Sequence, residues 1–191
     1  MGVAVSTPAL GKAGFTADKY LQGEKLTTEK HEFVNGSIYA MGGASDKHGL
    51  IAGNLFASIH ARLPDVCEVF ISDMKLHTSK VGDECFYYPD ILVTCDATDN
   101  DPYFREKPVL IIEVLSSSTE RIDRTEKRER YQAIFELQEY VLVAQDTPRV
   151  EVYRRNQAWQ GEEFSIEQSF SLASVDMEFK VQDVYRRIAF A

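Results

Sequence analysis

The sequence predicts one α/β (α+β) domain in which helices flank a mixed central sheet. Three observations predict this fold class. Asn35-Gly36 separates two strand-like runs, apolar residues recur at helical spacing from Leu50 to Leu63, and several strand-like runs then surround one charged amphipathic segment. At 191 residues, the chain is long enough for one sizeable core and short for two. We expect residues 1–191 to form a single domain, with a flexible N-terminal segment over residues 1–14.

The first elements are predicted from local turn and capping chemistry. Thr16 is a suitable N-cap for a short helix within residues 15–24. The next segment reads as a hairpin that turns at Asn35-Gly36. Ser45 or Asp46 can cap the helix that follows, and we expect that helix to end before Pro64.

Four strands and a second long helix follow. Their β-branched and aromatic content predicts strands at about residues 66–71, 73–78, 86–94 and 109–116. The segment from Ser116 to Phe135 predicts a charged amphipathic helix, with Ser118 as its cap. Late strands are predicted in EYVLVAQ, RVEVYRRN, AWQGEEFS and SFSLAS, and a short helix in VQDVYRRIA.

The composition excludes some classes of protein. A formal net charge of −9 and a pI near 5.0 argue against a protein that holds polyanions through an overall basic excess. No run approaches the roughly 18–20 apolar residues of a membrane-spanning helix. The chain has three cysteines, an odd number without a CxxC pair. This favours reduced thiols over a disulfide framework, and therefore a cytoplasmic location.

Two carboxylates interrupt segments that otherwise read as buried strands. In VLIIEVLS, alternation places Glu113 on the same face as Val109, Ile111 and Leu115. A buried carboxylate needs a partner, which is either a structural cation or a metal site that Asp90 completes. Asp90 alone, after a proline, is typical of a turn. Together the two carboxylates would repel unless protonated or bridged, and such oxygen ligands suit Mg²⁺ or Mn²⁺.

The charged helix can supply a positive group. At 3.6 residues per turn, Asp123, Lys127 and Tyr131 lie on one stripe with Ile134 or Phe135. Because the apolar end of that stripe must face the core, Lys127 is carried toward the sheet. His48 begins another amphipathic helix, where packing or a backbone hydrogen bond is its expected role and substrate contact is an alternative.

These segments carry a resemblance. YPDILVTCD, PVLIIEVLSSST, DRTEKRERY and EYVLVAQDTPRVEVYRR, with the opening HEFVNGSIYAMGGAS, are similar to the Uma family of restriction-endonuclease-like proteins in the PD-(D/E)XK nuclease superfamily. The resemblance covers nearly the whole chain. It implies a restriction-endonuclease-like core with an N-terminal hairpin, and a metal-dependent endonuclease that hydrolyses DNA phosphodiester bonds as a homodimer.

The resemblance also assigns roles to residues. Asp90 and Glu113 match the family's metal-binding acids, and the Val114 carbonyl is the expected third ligand of Mg²⁺ or Mn²⁺. The superfamily's lysine would fall at Leu115, so the D-R-x-x-K-x-x-x-Y pattern points to Lys127 instead. The auxiliary candidates are Glu32, His48, Asp123 and Tyr131.

The acidic net charge is the main objection to a DNA substrate. We expect bound cation to neutralise the acidic site, and the Arg-rich helix face with Arg154 and Arg155 to supply local positive potential. The alternative is a non-catalytic dimeric module that keeps the fold, with Glu113 and Lys127 as a structural pair. In either case, edge strands among the late segments could pair across a two-fold axis.

Overall fold

A computed structural model of the protein describes residues 14–80 and 83–190. The expected flexible segment, residues 1–14, lies outside the described residues except for Gly14. The helices are α1 Ala17–Glu24, α2 Asp46–His60, α3 Glu120–Ile122, a π-helical turn Asp123–Lys127, α4 Arg128–Gln132 and α5 Val181–Val184, with 3₁₀ turns at Arg155–Gln157 and Ala173–Val175. The strands are β1 His31–Val34, β2 Ser37–Ala40, β3 Glu68–Ile71, β4 Lys75–Lys80, β5 Asp83–Tyr87, β6 Ile91–Thr94, β7 Phe104–Arg105, β8 Pro108–Leu115, β9 Glu139–Ala144, β10 Arg149–Arg154, β11 Gly161–Ser165, β12 Ser169–Leu172 and β13 Met177–Lys180.

The strands form three sheets, and the largest is the predicted mixed sheet. Its six strands run in the order β11-β10-β9-β8-β6-β3. Strands β8 and β9 pair in parallel, while the other neighbours pair antiparallel. A five-stranded sheet has the order β2-β1-β5-β4-β7, and β12 pairs with β13. The fold is therefore the expected α+β arrangement, with helices on a mixed sheet.

Most of the local predictions in the first half of the chain are confirmed. Thr16 caps α1 and accepts a hydrogen bond from the Lys19 N–H. Asn35-Gly36 closes the β1–β2 hairpin, and both residues have positive φ, as a tight hairpin turn requires. Ser45 caps α2 by accepting from the His48 N–H. These signals act over three or four residues, which is why the sequence reveals them.

Two boundary predictions are wrong. The predicted strand over residues 86–94 is two strands, β5 and β6, which belong to different sheets and are separated at Tyr88–Asp90. Pro89 cannot donate to a ladder, so a break there is natural. Ser118 does not cap the charged helix; the Ser116 hydroxyl accepts from the Thr119 N–H instead.

The six-stranded sheet separates two apolar layers. Helix α2 packs on one face through Ile51, Leu55 and Ile59, together with β12 and β13. The other face packs against Tyr131 and the five-stranded sheet. Ile111 and Leu115 lie on this second face as predicted, but Val109 packs on the first. A register irregularity opposite Val93 and Thr94 breaks the alternation beside it.

The prediction of three reduced thiols is also wrong. Cys67 and Cys95 form a disulfide, and Cys85 is free and buried. Strands β3 and β6 pair Glu68 with Thr94, so the two cysteines stand next to each other one step beyond that pair. Their separation of 28 residues carries no local signal of this contact. None of the helices in residues 14–80 and 83–190 has the length and hydropathy that a membrane crossing requires.

Candidate functional site

Asp90 lies where the six-stranded sheet has a notch. Strand β6 begins at Ile91, which pairs with Ile112, while β8 continues to Leu115. The Asp90 side chain fills the missing pairing position, because its Oδ2 accepts a hydrogen bond of 2.7 Å from the Val114 N–H. The Asp90 N–H in turn donates to Glu113 Oε2 at 3.3 Å. The two predicted acids therefore meet at the notch.

Glu113 faces the layer on the Tyr131 side and is buried. Its Oε1 accepts a hydrogen bond of 3.1 Å from the Tyr131 hydroxyl, and Lys127 Nζ lies 3.3 Å from the same oxygen. Lys127 Nζ is also 3.0 Å from Glu32 Oε1 and 3.4 Å from Asp123 Oδ1. The structure thus brings Lys127 to the carboxylates, as the helical spacing predicts.

A π-helical turn positions the lysine. Asp123 and Lys127 are the first and last residues of this turn, and both are buried, whereas the turn's Glu126 is exposed. Turns of this kind are rare and occur frequently at functional sites. The predicted stripe continues past Tyr131 to Ile134, which packs on the same apolar cluster, whereas the alternative, Phe135, is 83% exposed. The Tyr140 hydroxyl donates to the Asp123 carbonyl at 3.0 Å and anchors the turn to β9.

The pKa shifts show that the carboxylates are not fully compensated. Burial raises the pKa of Glu113 well above its ordinary 4.5, and Lys127 opposes this rise only in part. Burial likewise raises the pKa of Asp123 above 3.8. For Lys127, burial acts to lower the pKa, but Glu113 and its neighbours outweigh it and raise the pKa well above 10.5. Lys127 is therefore a firmly charged ammonium.

The carboxylates around Lys127 carry more negative charge than this one ammonium can balance, so a further cation would be favourable. Three carboxylates, those of Glu32, Glu113 and Asp123, share the Lys127 ammonium. A fourth, that of Asp90, belongs to the residue whose N–H donates to Glu113. One of their atoms, the buried Asp123 Oδ1, has no hydrogen-bond partner of good geometry. Within the described residues, no three His, Cys, Asp or Glu side chains are set closely enough to form a metal site by themselves. A hard cation would therefore need the carboxylate pair and a backbone oxygen.

His48 approaches Asp90 from the opposite face of the sheet. Its Nε2 lies 2.8 Å from Asp90 Oδ1, and both side chains are about 15% exposed. The expected packing role or backbone hydrogen bond is therefore replaced by contact with a carboxylate. Burial acts to lower the pKa of His48, but the hydrogen bond and charge of Asp90 outweigh it and raise the pKa above 6.5.

Most arginines of the expected surface already have partners in the fold. Arg124 makes a bidentate pair with Glu151 and also contacts Glu120. Arg130 pairs with Asp83. The remaining arginines of interest are also engaged: Arg121 with Glu126, Arg154 with Glu139 and Glu162, and Arg155 with backbone carbonyls of Gln132, Ile134 and Leu137. Glu151 and Asp83, the partners of Arg124 and Arg130, lie far along the chain, so the sequence could not show them. The pairs of Arg124 with Glu120 and of Arg121 with Glu126 are local.

Two contacts around the site were not predicted. The Ser72 N–H donates to the Asp90 carbonyl at 3.0 Å, with Ser72 in the left-handed region at φ 59°. The Lys127 ammonium lies 5.5 Å from the centre of the Tyr87 ring, a distance at which a cation–π attraction stabilises the charge. A serine at positive φ has no sequence signature. For Tyr87, the sequence predicts only a place in or beside a strand and not its contact with Lys127.

Taken together, a mixed sheet that ends at a buried group of carboxylates and a lysine defines a nuclease-fold protein. A solved structure from Anabaena variabilis, described as "a putative nuclease belonging to DUF820", has a similar fold. Its TM-score is 0.71 at 18% identity, and the match covers 90% of this chain and 98% of that chain.

Sequence comparison gives the family. The profile of Uma2, described as "Putative restriction endonuclease", matches residues 17–182. Two uncharacterized proteins of Synechocystis are similar over most of the chain. One, slr1290, is 36% identical over 91% of this chain and 92% of its own length; the other, sll1609, is 38% identical over 81% and 93%. The chain belongs to the Uma2 family, which confirms the resemblance.

Proposed function

We propose that this protein is a metal-dependent endonuclease that hydrolyses phosphodiester bonds of DNA. The observation that carries the proposal is the meeting of Asp90, Glu113 and Lys127 at the notch, where the carboxylates outnumber the lysine. Family membership supports the nuclease class. The choice of DNA as substrate and of Mg²⁺ or Mn²⁺ as cofactor is ours.

Asp90, Glu113 and the Val114 carbonyl would hold the cation. In a strand, the N–H and C=O of one residue point to the same edge, and the Val114 N–H points at Asp90. All of these ligands are hard oxygens, which suit Mg²⁺ or Mn²⁺. When bound, such a cation lowers the pKa of water and polarises a phosphoryl oxygen. Glu32, which is partly exposed and shares Lys127 with Glu113, would be an auxiliary ligand.

The remaining residues of the site hold and orient these groups. Lys127, as a charged ammonium, stabilises negative charge that develops on the phosphoryl oxygens, and we do not assign it as a general base. Asp123 and the Tyr131 hydroxyl fix the positions of Lys127 and Glu113 respectively. His48 orients the Asp90 carboxylate through Nε2. Each of these contacts prepares the site before substrate arrives.

Calorimetry and plasmid cleavage together test the proposal. The wild type, Asp90→Asn and Lys127→Met are titrated with Mg²⁺ and Mn²⁺ and then incubated with supercoiled plasmid. We expect Asp90→Asn to lose both cation binding and cleavage, and Lys127→Met to lose cleavage. Glu139→Gln is the matched control, because Glu139 is equally buried but faces the other side of the sheet. It is expected to leave cation affinity unchanged.

The same measurements can support the alternative, a non-catalytic module. A wild type that neither binds cation nor cuts DNA, together with a Lys127→Met variant that only unfolds more easily, would contradict the endonuclease. Glu113 and Lys127 would then be a structural pair. The homodimer stays a prediction for either function, and sedimentation equilibrium of the wild type checks it.

A further inference from the structure

Lys75 is a buried lysine without a carboxylate partner among the residues that the structure describes. Only 8% of the residue is exposed, and in the described part of the chain its ammonium makes no ion pair and no hydrogen bond. It lies 5.1 Å from the centre of the Tyr88 ring. The Nζ atom itself is not fully buried, so the end of the side chain still reaches solvent. An ammonium in this position favours an anion.

A second ammonium approaches the same ring. Lys30 Nζ lies 5.7 Å from the centre of the Tyr88 ring and donates to the Ser72 carbonyl at 3.1 Å. Its one carboxylate partner is Asp73, at 2.8 Å. The Asp73 side chain is 85% exposed, and exposed pairs of this kind contribute little. Lys30 can therefore exchange Asp73 for another anion at low cost.

The other carboxylates near Lys75 have donors of their own. Glu24 accepts from the Tyr88 hydroxyl at 2.8 Å and lies 2.8 Å from His31 Nδ1. The Asp101 side chain accepts from the Tyr103 N–H. Burial lowers the pKa of Lys75 below 10.5, and Glu24 offsets this only in part. Neither acid supplies the missing counter-charge.

The two lysines lie beside the candidate site. Leu76 pairs with Tyr87 in the five-stranded sheet, which puts Lys75 opposite Tyr88, two residues before Asp90. Lys30 reaches the Ser72 carbonyl, and the Ser72 N–H donates to the Asp90 carbonyl. Both ammonium groups therefore flank the segment that presents Asp90. Arg124, Arg130 and Arg154, by contrast, already have carboxylate partners in the fold.

We propose that Lys30 and Lys75 form a binding site for a backbone phosphate of DNA, next to the scissile position. This inference rests on the proposed function, since it places one more phosphate of the same strand. Lysine serves such a site as a point charge and reads no sequence. The site thus gives an acidic protein a local grip on a polyanion, and it would position the strand without choosing its sequence.

The test measures binding of a fluorescein-labelled duplex by anisotropy, in Ca²⁺ and again in EDTA, from about 50 to 200 mM salt. We expect Lys75→Gln to weaken binding about fivefold and to reduce the slope of log affinity against log salt by about one. Lys30→Gln should act in the same direction, and Lys75→Arg should restore most of the affinity. Lys180→Gln, an exposed lysine in the separate β12–β13 sheet, controls for net charge and should leave the slope unchanged.

The outcomes separate this inference from the nuclease itself. Duplex binding that Lys75→Gln leaves unchanged, with the same salt slope as the wild type, overturns the phosphate site and leaves the nuclease proposal standing. A wild type that binds the duplex through Lys75 but does not cleave in Mg²⁺ or Mn²⁺ keeps the phosphate site and overturns the nuclease. A wild type that binds no duplex in either buffer overturns both. Loss of the folded state in Lys75→Gln is judged by circular dichroism, and Lys30→Gln then decides.

Discussion

Glu113 and Glu139 are two buried glutamates on neighbouring parallel strands, and they face opposite sides of one sheet. Each is only 2–3% exposed. The Glu139 carboxylate accepts from the Ala173 and Ser174 N–H groups and from the Ser174 hydroxyl, and Arg154 lies 3.3 Å away. Glu113 has the Tyr131 hydroxyl, a long hydrogen bond from the Asp90 N–H and a share of Lys127. One acid is fully satisfied, and the other must share a lysine with Glu32 and Asp123.

The difference teaches that burial by itself does not mark a functional carboxylate. A buried charge whose oxygens are met by several hydrogen-bond donors and a nearby cation is part of the framework. A buried charge that competes with others for one cation keeps a raised pKa, as Glu113 does, and such groups are candidates for cation binding. Compensation, which only the structure shows, separates the two.

Lys127→Met is expected to have the largest effect on stability. It leaves three carboxylates without their shared ammonium, and we expect a loss of about 3–5 kcal/mol in the free energy of unfolding at neutral pH. Without Lys127, the folded-state pKa values of Glu113 and Asp123 stand further above their unfolded values. The stability of this variant is therefore highest below the unfolded pKa values and falls as pH rises through the folded ones. Urea denaturation at pH 5 and pH 8 checks this, and an equal loss at both would contradict it.

Glu139→Ala tests the satisfied acid. The change leaves the Ala173 and Ser174 N–H groups without their acceptor and removes one of the two carboxylate partners of Arg154, so we expect a loss of about 2 kcal/mol in unfolding free energy. Cation affinity should not change, because Glu139 faces away from the notch. A variant as stable as the wild type would mean that Glu139 is not needed by the Ala173–Val175 turn. Denaturant unfolding and calorimetry give the two readings.

Glu113→Gln is expected to raise the free energy of unfolding, whereas Glu139→Ala lowers it. The amide keeps an oxygen that can accept from the Tyr131 hydroxyl and gives up only the long 3.3 Å hydrogen bond from the Asp90 N–H. It removes one charge from the crowded group and leaves Lys127 with two carboxylates. We predict a gain of about 1 kcal/mol in unfolding free energy, together with loss of cation binding. A gain in stability combined with a loss of binding is the signature of an acid kept for function. Marked destabilisation would instead show that Glu113, like Glu139, is needed for the stability of the fold.

Removal of the ion pair between Arg124 and Glu151 is expected to have the smallest effect on stability. Its pH dependence is opposite to that of Lys127→Met. The hydrogen bonds from Arg124 hold the pKa of Glu151 below 4.5. Because the folded pKa is lowered, this contribution is present above the unfolded pKa and is lost as pH falls through the folded one. We expect Glu151→Gln to cost about 1 kcal/mol near pH 7 and progressively less below pH 4. Thermal unfolding across that range checks it, and a constant cost would contradict it.

How far the sequence reaches depends on the range of the signal. The Asn35-Gly36 hairpin and the Thr16 cap are local chemistry and could be predicted. Glu113 and Lys127 could be predicted because a charge in an apolar pattern has to find a partner. The partner of Arg154 and the disulfide between Cys67 and Cys95 could not, because they depend on strand register between distant segments. The pairing of Arg124 with Glu151 and of Arg130 with Asp83 could not be predicted for the same reason.

The notch at Asp90 has a consequence for hydrogen exchange. Strand β8 continues past the start of β6, and the Val114 amide proton is held there by a side chain instead of a neighbouring strand. The protection of that one proton therefore depends on one carboxylate. In Asp90→Ala we expect the Val114 amide to exchange much faster than that of Ile112, which lies within the β6–β8 pairing. A single amide resonance would thus report the condition of the whole site.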